Sequence, residues 1–123
     1  MREIKTNRAP AAIGPYSQAI IMGSLVFTSG QIPVNPETGE IPDGAQAQAK
    51  QVFENIKNLL DASGTSIDNV VKTTVFIKNM EDFSKINEIY QEYFTQPYPA
   101  RSCVEVAKLP KGVLIEVEAI AEI

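Results

Sequence analysis

Two charged residues in the last third of the chain are of types that could do chemistry. Glu116 lies inside a predicted strand, between the apolar residues Ile115 and Val117, and not at a turn. It is either a solvated side chain or a partly buried carboxylate whose pKa is raised towards that of a useful general base. Arg101 is the only arginine beyond the first eight residues. It either pairs with a nearby glutamate or holds a ligand carboxylate through two parallel hydrogen bonds.

The residue types that the chain lacks narrow the chemistry further. It contains no histidine and only one cysteine, Cys103. Ser-His-Asp and Cys-His pairs, histidine-ligated or cysteine-cluster metal sites and an intrachain disulfide are therefore excluded. The glycine-rich phosphate-binding patterns GxGxxG and GxxxxGK[ST] are also absent, so we expect no nucleotide cofactor. Acid–base chemistry must use carboxylates, Tyr, Lys, Cys or water.

Length and charge exclude several classes of protein. With 123 residues the chain is long enough for one stable domain, over residues 1–123, but not for two. A formal net charge of -4 argues against a nucleic-acid-binding protein. No apolar run approaches the roughly 20 residues that span a bilayer, and the first residues do not form the apolar segment of a secretory signal. We expect a cytoplasmic protein with neither membrane nor nucleic-acid partners.

Hydrophobic periodicity predicts the elements that must position the two charged residues. The predicted order β-β-α-β-α-β-β comprises strands over 17–22, 24–32, 69–78, 101–107 and 113–123 and helices over 45–63 and 80–94. Asp43 and Gln46 resemble a capping box before the first helix, and Gly64 fits its end. Residues 108–112 are few enough to join the last two strands as an antiparallel hairpin. The sequence predicts an α+β fold in which two helices cover one face of a mixed, mostly antiparallel sheet.

The predicted sheet carries apolar residues on both faces, although two helices can cover only one. In the final strand the odd-numbered residues share one face, and the even-numbered ones, among them Leu114 and Ile120, share the other. An uncovered apolar face predicts burial against other subunits. In a hairpin, Glu116 would pair with Glu105, about 13 Å from Arg101 along the sheet. A site containing both residues must reach across that gap within one chain or combine two subunits, and the expected neighbouring subunit favours the second.

Five short motifs together resemble a known protein family. They are Ala12-Ile-Gly-Pro-Tyr-Ser17, Thr28-Ser-Gly-Gln-Ile-Pro33, Val71-Lys-Thr-Thr-Val-Phe76, Pro99-Ala-Arg-Ser-Cys-Val-Glu-Val106 and Leu114-Ile-Glu-Val-Glu-Ala-Ile-Ala121. Spread over essentially the whole chain, they are similar to the reactive intermediate deaminase family (RidA/YjgF). The combination of Pro-Ala-Arg-Ser with Ile-Glu-Val-Glu is the specific part of this resemblance.

The resemblance implies both an assembly and an activity. The expected assembly is a homotrimer of chorismate mutase-like, RidA-like domains, with a central barrel and active sites between subunits. The expected activity is a cofactor-free hydrolysis of 2-imino acids (2-iminobutanoate, and 2-iminopropanoate with its enamine tautomer 2-aminoacrylate) to 2-keto acids and ammonia. The resemblance assigns the substrate carboxylate to Arg101 and activation of the attacking water to Glu116.

Further cleft residues are implied only by the resemblance, and they are Tyr16, Ser29, Asn87 and, through its backbone, Cys103. The residues alone leave ordinary alternatives: Tyr16 as a packing side chain after a turn, Ser29 at a bulge, Asn87 bonded to local backbone and Cys103 as a packed thiol. Two other functions stay open at this point. One is an endoribonuclease or translation inhibitor, and the other is a binding module that captures small carboxylates without turnover.

Overall fold

Six β-strands and two α-helices make up the computed structural model, which describes residues 1–123. The strands are β1 (Arg2–Ile4), β2 (Ala19–Met22), β3 (Leu25–Thr28), β4 (Val70–Ile77), β5 (Ala100–Glu105) and β6 (Ile115–Glu122), and the helices are α1 (Ala45–Ala62) and α2 (Phe83–Tyr93). They form one sheet in the order β1-β2-β3-β6-β4-β5. All neighbours are antiparallel except β4 and β5, which are parallel. The predicted α+β fold is confirmed, although the short strand β1 was not predicted.

The hydrophobic core lies between one face of the sheet and the two helices. In β6 the odd-numbered residues from Ile115 to Ala121 are buried beneath the helices, as the alternation predicts, and Ile123 is half exposed just past the strand. The stripe of α1 that is buried against them consists of Ala45, Gln48, Ala49, Val52, Phe53, Asn55, Ile56, Leu59 and Leu60. Each large apolar side chain buried in this way contributes about 1.5–3 kcal/mol. None of the helices combines the length and the apolar content that crossing a membrane requires.

The predicted hairpin between the last two strands is wrong. Strand β6 lies between β3 and β4, and β5 pairs with the other side of β4. Glu116 consequently lies opposite Phe76 and not opposite Glu105. The physical reason is the helix α2 between β4 and β5, because a helical crossover is the connection that adjacent parallel strands require. In its central position β6 is hydrogen-bonded to a strand on each side, β3 and β4. As the second strand of a hairpin at the end of the sheet it would have only one partner.

The predicted capping box at the start of α1 is also absent. Gly44 is the N-cap residue, and no side chain caps the first turn. Gln48 instead donates from its Nε2 to the carbonyl of Pro42 at 3.0 Å and ties the preceding loop to the helix. At the other end, Gly64 follows the helix with a φ of 85°, the left-handed conformation that glycine adopts readily. The predicted end of the helix is therefore confirmed.

Asn55 of α1 anchors the loop that follows β3. Its buried Nδ2 donates to the carbonyls of Ile32 and Val34 at 3.1 and 3.0 Å. We expect Asn55→Ala to lower the free energy of unfolding by about 2–4 kcal/mol, because two loop carbonyls lose their partner. The matched control is Asn58→Ala on the same helix, whose hydrogen bonds to Arg8 are exposed. Chemical denaturation of both variants tests this, and equal losses would contradict the anchoring role.

Candidate active site

Arg101 lies on the edge strand β5 and turns towards helix α2. The parallel register places it beside Thr73, whose side chain is buried on the helix-covered face. Its guanidinium carbon lies 4.8 Å from the ring centroid of Tyr90 and 5.3 Å from that of Phe83. Its Nη1 donates to Oδ1 of Asn87 at 2.8 Å.

Arg101 takes part in none of the ion pairs of the structure, which join Lys5 to Glu3, Arg8 to Asp61 and Lys50 to Glu92. The alternative of a structural ion pair with a glutamate is therefore not what the fold contains. A guanidinium has five N–H donors, and Asn87 accepts from one nitrogen only. The side chain is exposed, so the remaining donors are open to an anion of planar carboxylate geometry.

Glu116 projects from the opposite face of the sheet. Its neighbours Ile115 and Val117 are buried under the helices, so the alternation of β6 directs Glu116 to the uncovered face. The side chain is partly buried there. Burial raises the pKa of the Glu116 carboxyl above its ordinary value, and the nearby carboxylate of Glu118 raises it further. The structure thus agrees with the partly buried carboxylate and not with the fully solvated one.

Gly30 provides the space that the Glu116 carboxylate occupies. A Cβ atom added at position 30 would overlap Oε2 of Glu116, and it would also crowd the carbons of the same side chain. The backbone of Gly30 is outside the left-handed region, so the glycine is needed for the close approach and not for its conformation. Sequence reasoning missed Gly30, although an isolated glycine inside a predicted strand is a recognised signal of such an approach.

Substituting Gly30 tests this contact directly. We expect Gly30→Ala to lower the free energy of unfolding by about 1–3 kcal/mol, because the new methyl group must displace the carboxylate or the strand. In a Glu116→Ala background the same substitution should cost much less, since the clashing carboxylate is gone. The measurement is a double-mutant cycle by chemical denaturation at one protomer concentration. An unchanged cost in both backgrounds would contradict the contact.

Tyr16 and Ser29 lie near Gly30. Tyr16 is 51% exposed and lines, together with Gly30, a cavity of about 410 Å³. The Oγ of Ser29 donates to the carbonyl of Ser17 at 2.6 Å, and its backbone N–H donates to the carbonyl of Gln18 at 2.9 Å. Ser29 therefore joins the end of β3 to the segment that contains Tyr16. Its hydroxyl group already donates its proton to the carbonyl of Ser17.

Cys103 lies two residues beyond Arg101 on the same face of β5. It pairs with Val75 and packs partly buried against the core. Burial raises the pKa of its thiol, and Arg101 lowers it by less. A thiol in this environment is protonated at neutral pH and is a poor nucleophile, in agreement with the packed thiol that the sequence left open.

The fold gathers the sequence-predicted residues into two groups. Arg101, Asn87 and Cys103 form one group on the helix-covered side. In the other group Gly30 contacts Glu116, lines a cavity with Tyr16 and follows Ser29 in the chain. Arg101 and Glu116 are two strands apart, about 10 Å, and three residues apart along β4, about another 10 Å, on opposite faces of the sheet. One chain does not bring them into a common pocket.

The donor set of the two groups suits a small organic anion and a water molecule. It consists of a guanidinium, a side-chain amide, hydroxyl groups and one carboxylate. No three histidine, cysteine, aspartate or glutamate side chains of the chain cluster as metal ligands would. Sequence reasoning also missed Tyr90 and Phe83 as neighbours of Arg101, because their apolar spacing on α2 indicates only core packing.

Fold and site together describe a small mixed α+β protein that presents an exposed arginine and a partly buried carboxylate on opposite faces of one sheet. Comparison with known proteins is consistent with a single family. The family model described as Endoribonuclease L-PSP matches residues 6–123. The 2-iminobutanoate/2-iminopropanoate deaminase of Escherichia coli (strain K12) is 53% identical over 98% of this chain and 96% of its own length.

Solved structures agree with this assignment. RidA from the Antarctic bacterium Psychrobacter sp. PAMC 21119 superposes with a TM-score of 0.97 at 47% identity and covers all of both chains. E. coli TdcF with bound serine superposes with a TM-score of 0.95 at 52% identity, over 100% of this chain and 99% of that one. The chain belongs to the endoribonuclease L-PSP family, also known as the YjgF/RidA family. The resemblance read from the five motifs is confirmed.

Proposed function

We propose that this protein is an enzyme that hydrolyses 2-imino acids, and their enamine tautomers, to 2-keto acids and ammonia. The observation that carries the proposal is the 53% identity, over almost the whole chain, to a protein named 2-iminobutanoate/2-iminopropanoate deaminase. The site chemistry supports it, because Arg101 offers unpaired donors for a carboxylate and Glu116 is a carboxylate with a raised pKa. The substrate class is a small 2-imino acid, and the protein needs no cofactor for this reaction.

The proposed active site lies between subunits of a homotrimer. Arg101 of one subunit and Glu116 of its neighbour form one site, because the two side chains of a single chain face opposite sides of the sheet. The uncovered face supports subunit contact, since Phe27 and Val104 on it are 40% and 44% exposed. Closed rings of identical subunits place one such composite site at every interface.

The proposed reaction begins with orientation of the substrate. The guanidinium of Arg101 holds the substrate carboxylate, with Asn87 fixing the arginine. Tyr16 and Ser29 line the cleft, and the backbone at Cys103 helps to hold substrate or water. A protonated imine carbon is already electrophilic, so placing it against a bound water molecule supplies much of the rate enhancement.

Glu116 then acts first as a base and afterwards as an acid. Its carboxylate takes a proton from the water molecule as the oxygen bonds to C2, which gives a carbinolamine. The resulting carboxyl group donates that proton to the amino nitrogen. The C–N bond breaks with its electron pair going to nitrogen, the regenerated carboxylate of Glu116 takes the hydroxyl proton as C=O forms and passes it to solvent, and ammonia and the 2-keto acid leave. The raised pKa of Glu116 suits a group that must accept and return a proton in one cycle.

A coupled assay tests the proposed activity. A threonine dehydratase releases 2-iminobutanoate, and the formation of 2-ketobutanoate is followed with and without the purified protein. We expect the protein to accelerate release of the keto acid above spontaneous hydrolysis, and Arg101→Ala to abolish the acceleration. Keto acid release at the spontaneous rate in the presence of the unaltered protein would refute the proposal.

A second candidate function follows from the description of the family model, which names an endoribonuclease. The net charge of -4 and the absence of histidine do not favour it. RNA cleavage that survives purification and is lost in Arg101→Ala would establish it instead.

The same acidic charge supports a protein without nucleic-acid partners, and the single free cysteine supports a cytoplasmic location.

A further inference from the structure

We propose that Tyr90 is a positioning residue for carboxylate recognition: its ring, fixed by the hydroxyl of Thr73, holds the guanidinium of Arg101 in place without consuming its hydrogen-bond donors. This inference rests on the proposed function, in which Arg101 binds the carboxylate of the substrate. The geometry that carries it is the position of the Arg101 guanidinium carbon over the ring of Tyr90 and the hydrogen bond that joins Tyr90 to the sheet.

Tyr90 is held rigidly at both ends of its side chain. The residue is 4% exposed, and its ring packs edge-on against Phe53 and tilted against Phe94, with centroid distances of 5.6 and 4.4 Å. Its phenolic oxygen lies 2.8 Å from Oγ1 of Thr73, which is fully buried on β4. Thr73 is also the residue of β4 that pairs with Arg101 on β5. The same strand therefore positions both the backbone of Arg101 and the ring that lies under its side chain.

Tyr90 does not act as a counter-charge. Burial raises the pKa of its phenol, and the hydrogen bond to Thr73 and the charge of Arg101 lower it by less. The group is therefore neutral at neutral pH. Its attraction for Arg101 is that of an aromatic face for a cation, which holds the charge without neutralising it.

The three contacts of Arg101 come from one face of α2. Phe83, Asn87 and Tyr90 are spaced at i, i+4 and i+7, which places them in a row on the helix. Two of them are rings that use no N–H donor, and only Asn87 accepts a hydrogen bond. An ion pair with a glutamate would hold the side chain equally well but would leave neither the charge nor the bidentate edge for a substrate.

The experiment compares Tyr90→Leu, which removes the ring, with Tyr90→Phe, which keeps it. We expect Tyr90→Leu to raise KM for 2-iminobutanoate about 3- to 30-fold with kcat changed less than about twofold, because the lost interaction acts on bound substrate and transition state alike. Tyr90→Phe should keep KM within about threefold. A lower kcat at unchanged KM in Tyr90→Leu would show a merely structural role and overturn the inference.

A binding measurement separates this inference from the proposed activity. The titrated compound is 2-oxobutanoate, and its neutral carboxamide is the control. We expect Tyr90→Leu to weaken binding of the carboxylate by the same 3- to 30-fold and to leave the carboxamide unchanged. Should the protein bind 2-oxobutanoate in this Tyr90-dependent way without hydrolysing any imine, the proposed function fails and the inference stands. If the protein hydrolyses the imine but Tyr90→Leu leaves the affinity for 2-oxobutanoate unchanged, the inference is refuted and the proposed function stands.

Because Tyr90 is part of the core, Tyr90→Leu is first checked by thermal unfolding. If it does not fold, Phe83→Leu replaces it, since Phe83 is only partly buried and its ring is the more distant from Arg101. We expect a smaller rise in KM for that variant, again with kcat preserved. An unchanged KM in a folded Phe83→Leu would show that the rings of α2 do not hold the arginine for the carboxylate, and it would then overturn the inference.

Discussion

Replacing Glu116 with glutamine is expected to lower kcat about 100- to 10,000-fold with little change in KM. The amide has nearly the same shape but can neither take the proton of the attacking water nor return one to the leaving nitrogen. Steady-state rates of 2-ketobutanoate formation measure the effect. Glu118→Gln, measured at a pH above the acid limb of the profile, is the matched control, since it changes a carboxylate on the same face of β6 that transfers no proton in the mechanism. Loss of kcat in Glu118→Gln but not in Glu116→Gln would contradict the assignment.

The same residue sets the expected pH dependence. The general base must be ionised, so kcat/KM of the unaltered protein should fall as the pH drops through the pKa of Glu116. That pKa is raised by burial and by the carboxylate of Glu118. Glu118→Gln removes the second cause, lowers the pKa and should move the acid limb of the profile to lower pH. An acid limb that stays in place or moves to higher pH would contradict this relation.

Replacing Arg101 with lysine is expected to lower kcat/KM about 100-fold or more, although the positive charge is kept. An ammonium group cannot form the two parallel hydrogen bonds of a guanidinium, and it lacks the planar delocalised charge that packs against aromatic rings. The rates are measured in the same assay, with Arg8→Lys as the control, since Arg8 pairs with Asp61 on the surface of α1. A kcat/KM within threefold of the unaltered value in Arg101→Lys would argue against bidentate binding.

The helices and the faces of the strands could be predicted because their signals are local. The stripe of α1 and the alternation of β6 repeat within a few residues, and both are buried as their periods require. The position of β5 could not be predicted in the same way. The strand that β5 pairs with depends on how the chain crosses over through α2, which places β5 beside β4. The short connection 108–112 predicted a hairpin with β6 instead. In the structure that connection contains a turn over Pro110–Gly112 and leads β6 to the far side of β4.

The candidate site shows the same division between local and distant signals. Arg101 and Glu116 could be singled out from their neighbours in sequence. The contacts that hold them could not, because Gly30 meets Glu116 across 86 positions and Thr73 meets Tyr90 across 17. The apolar spacing of Phe83 and Tyr90 predicts a buried stripe. Nothing in that pattern indicates that both rings also contact the guanidinium of Arg101.

The central claim is that each site takes its arginine from one subunit and its glutamate from another. It is tested most directly by co-expressing Arg101→Ala and Glu116→Gln chains with different affinity tags and purifying the hybrid oligomers through both tags. Each variant alone should be inactive. Every doubly tagged trimer contains both chains, so one of its three interfaces joins an intact Arg101 to an intact Glu116, and the hybrids should recover about a third of the unaltered activity. Hybrids as inactive as the separate variants would contradict a site shared between subunits.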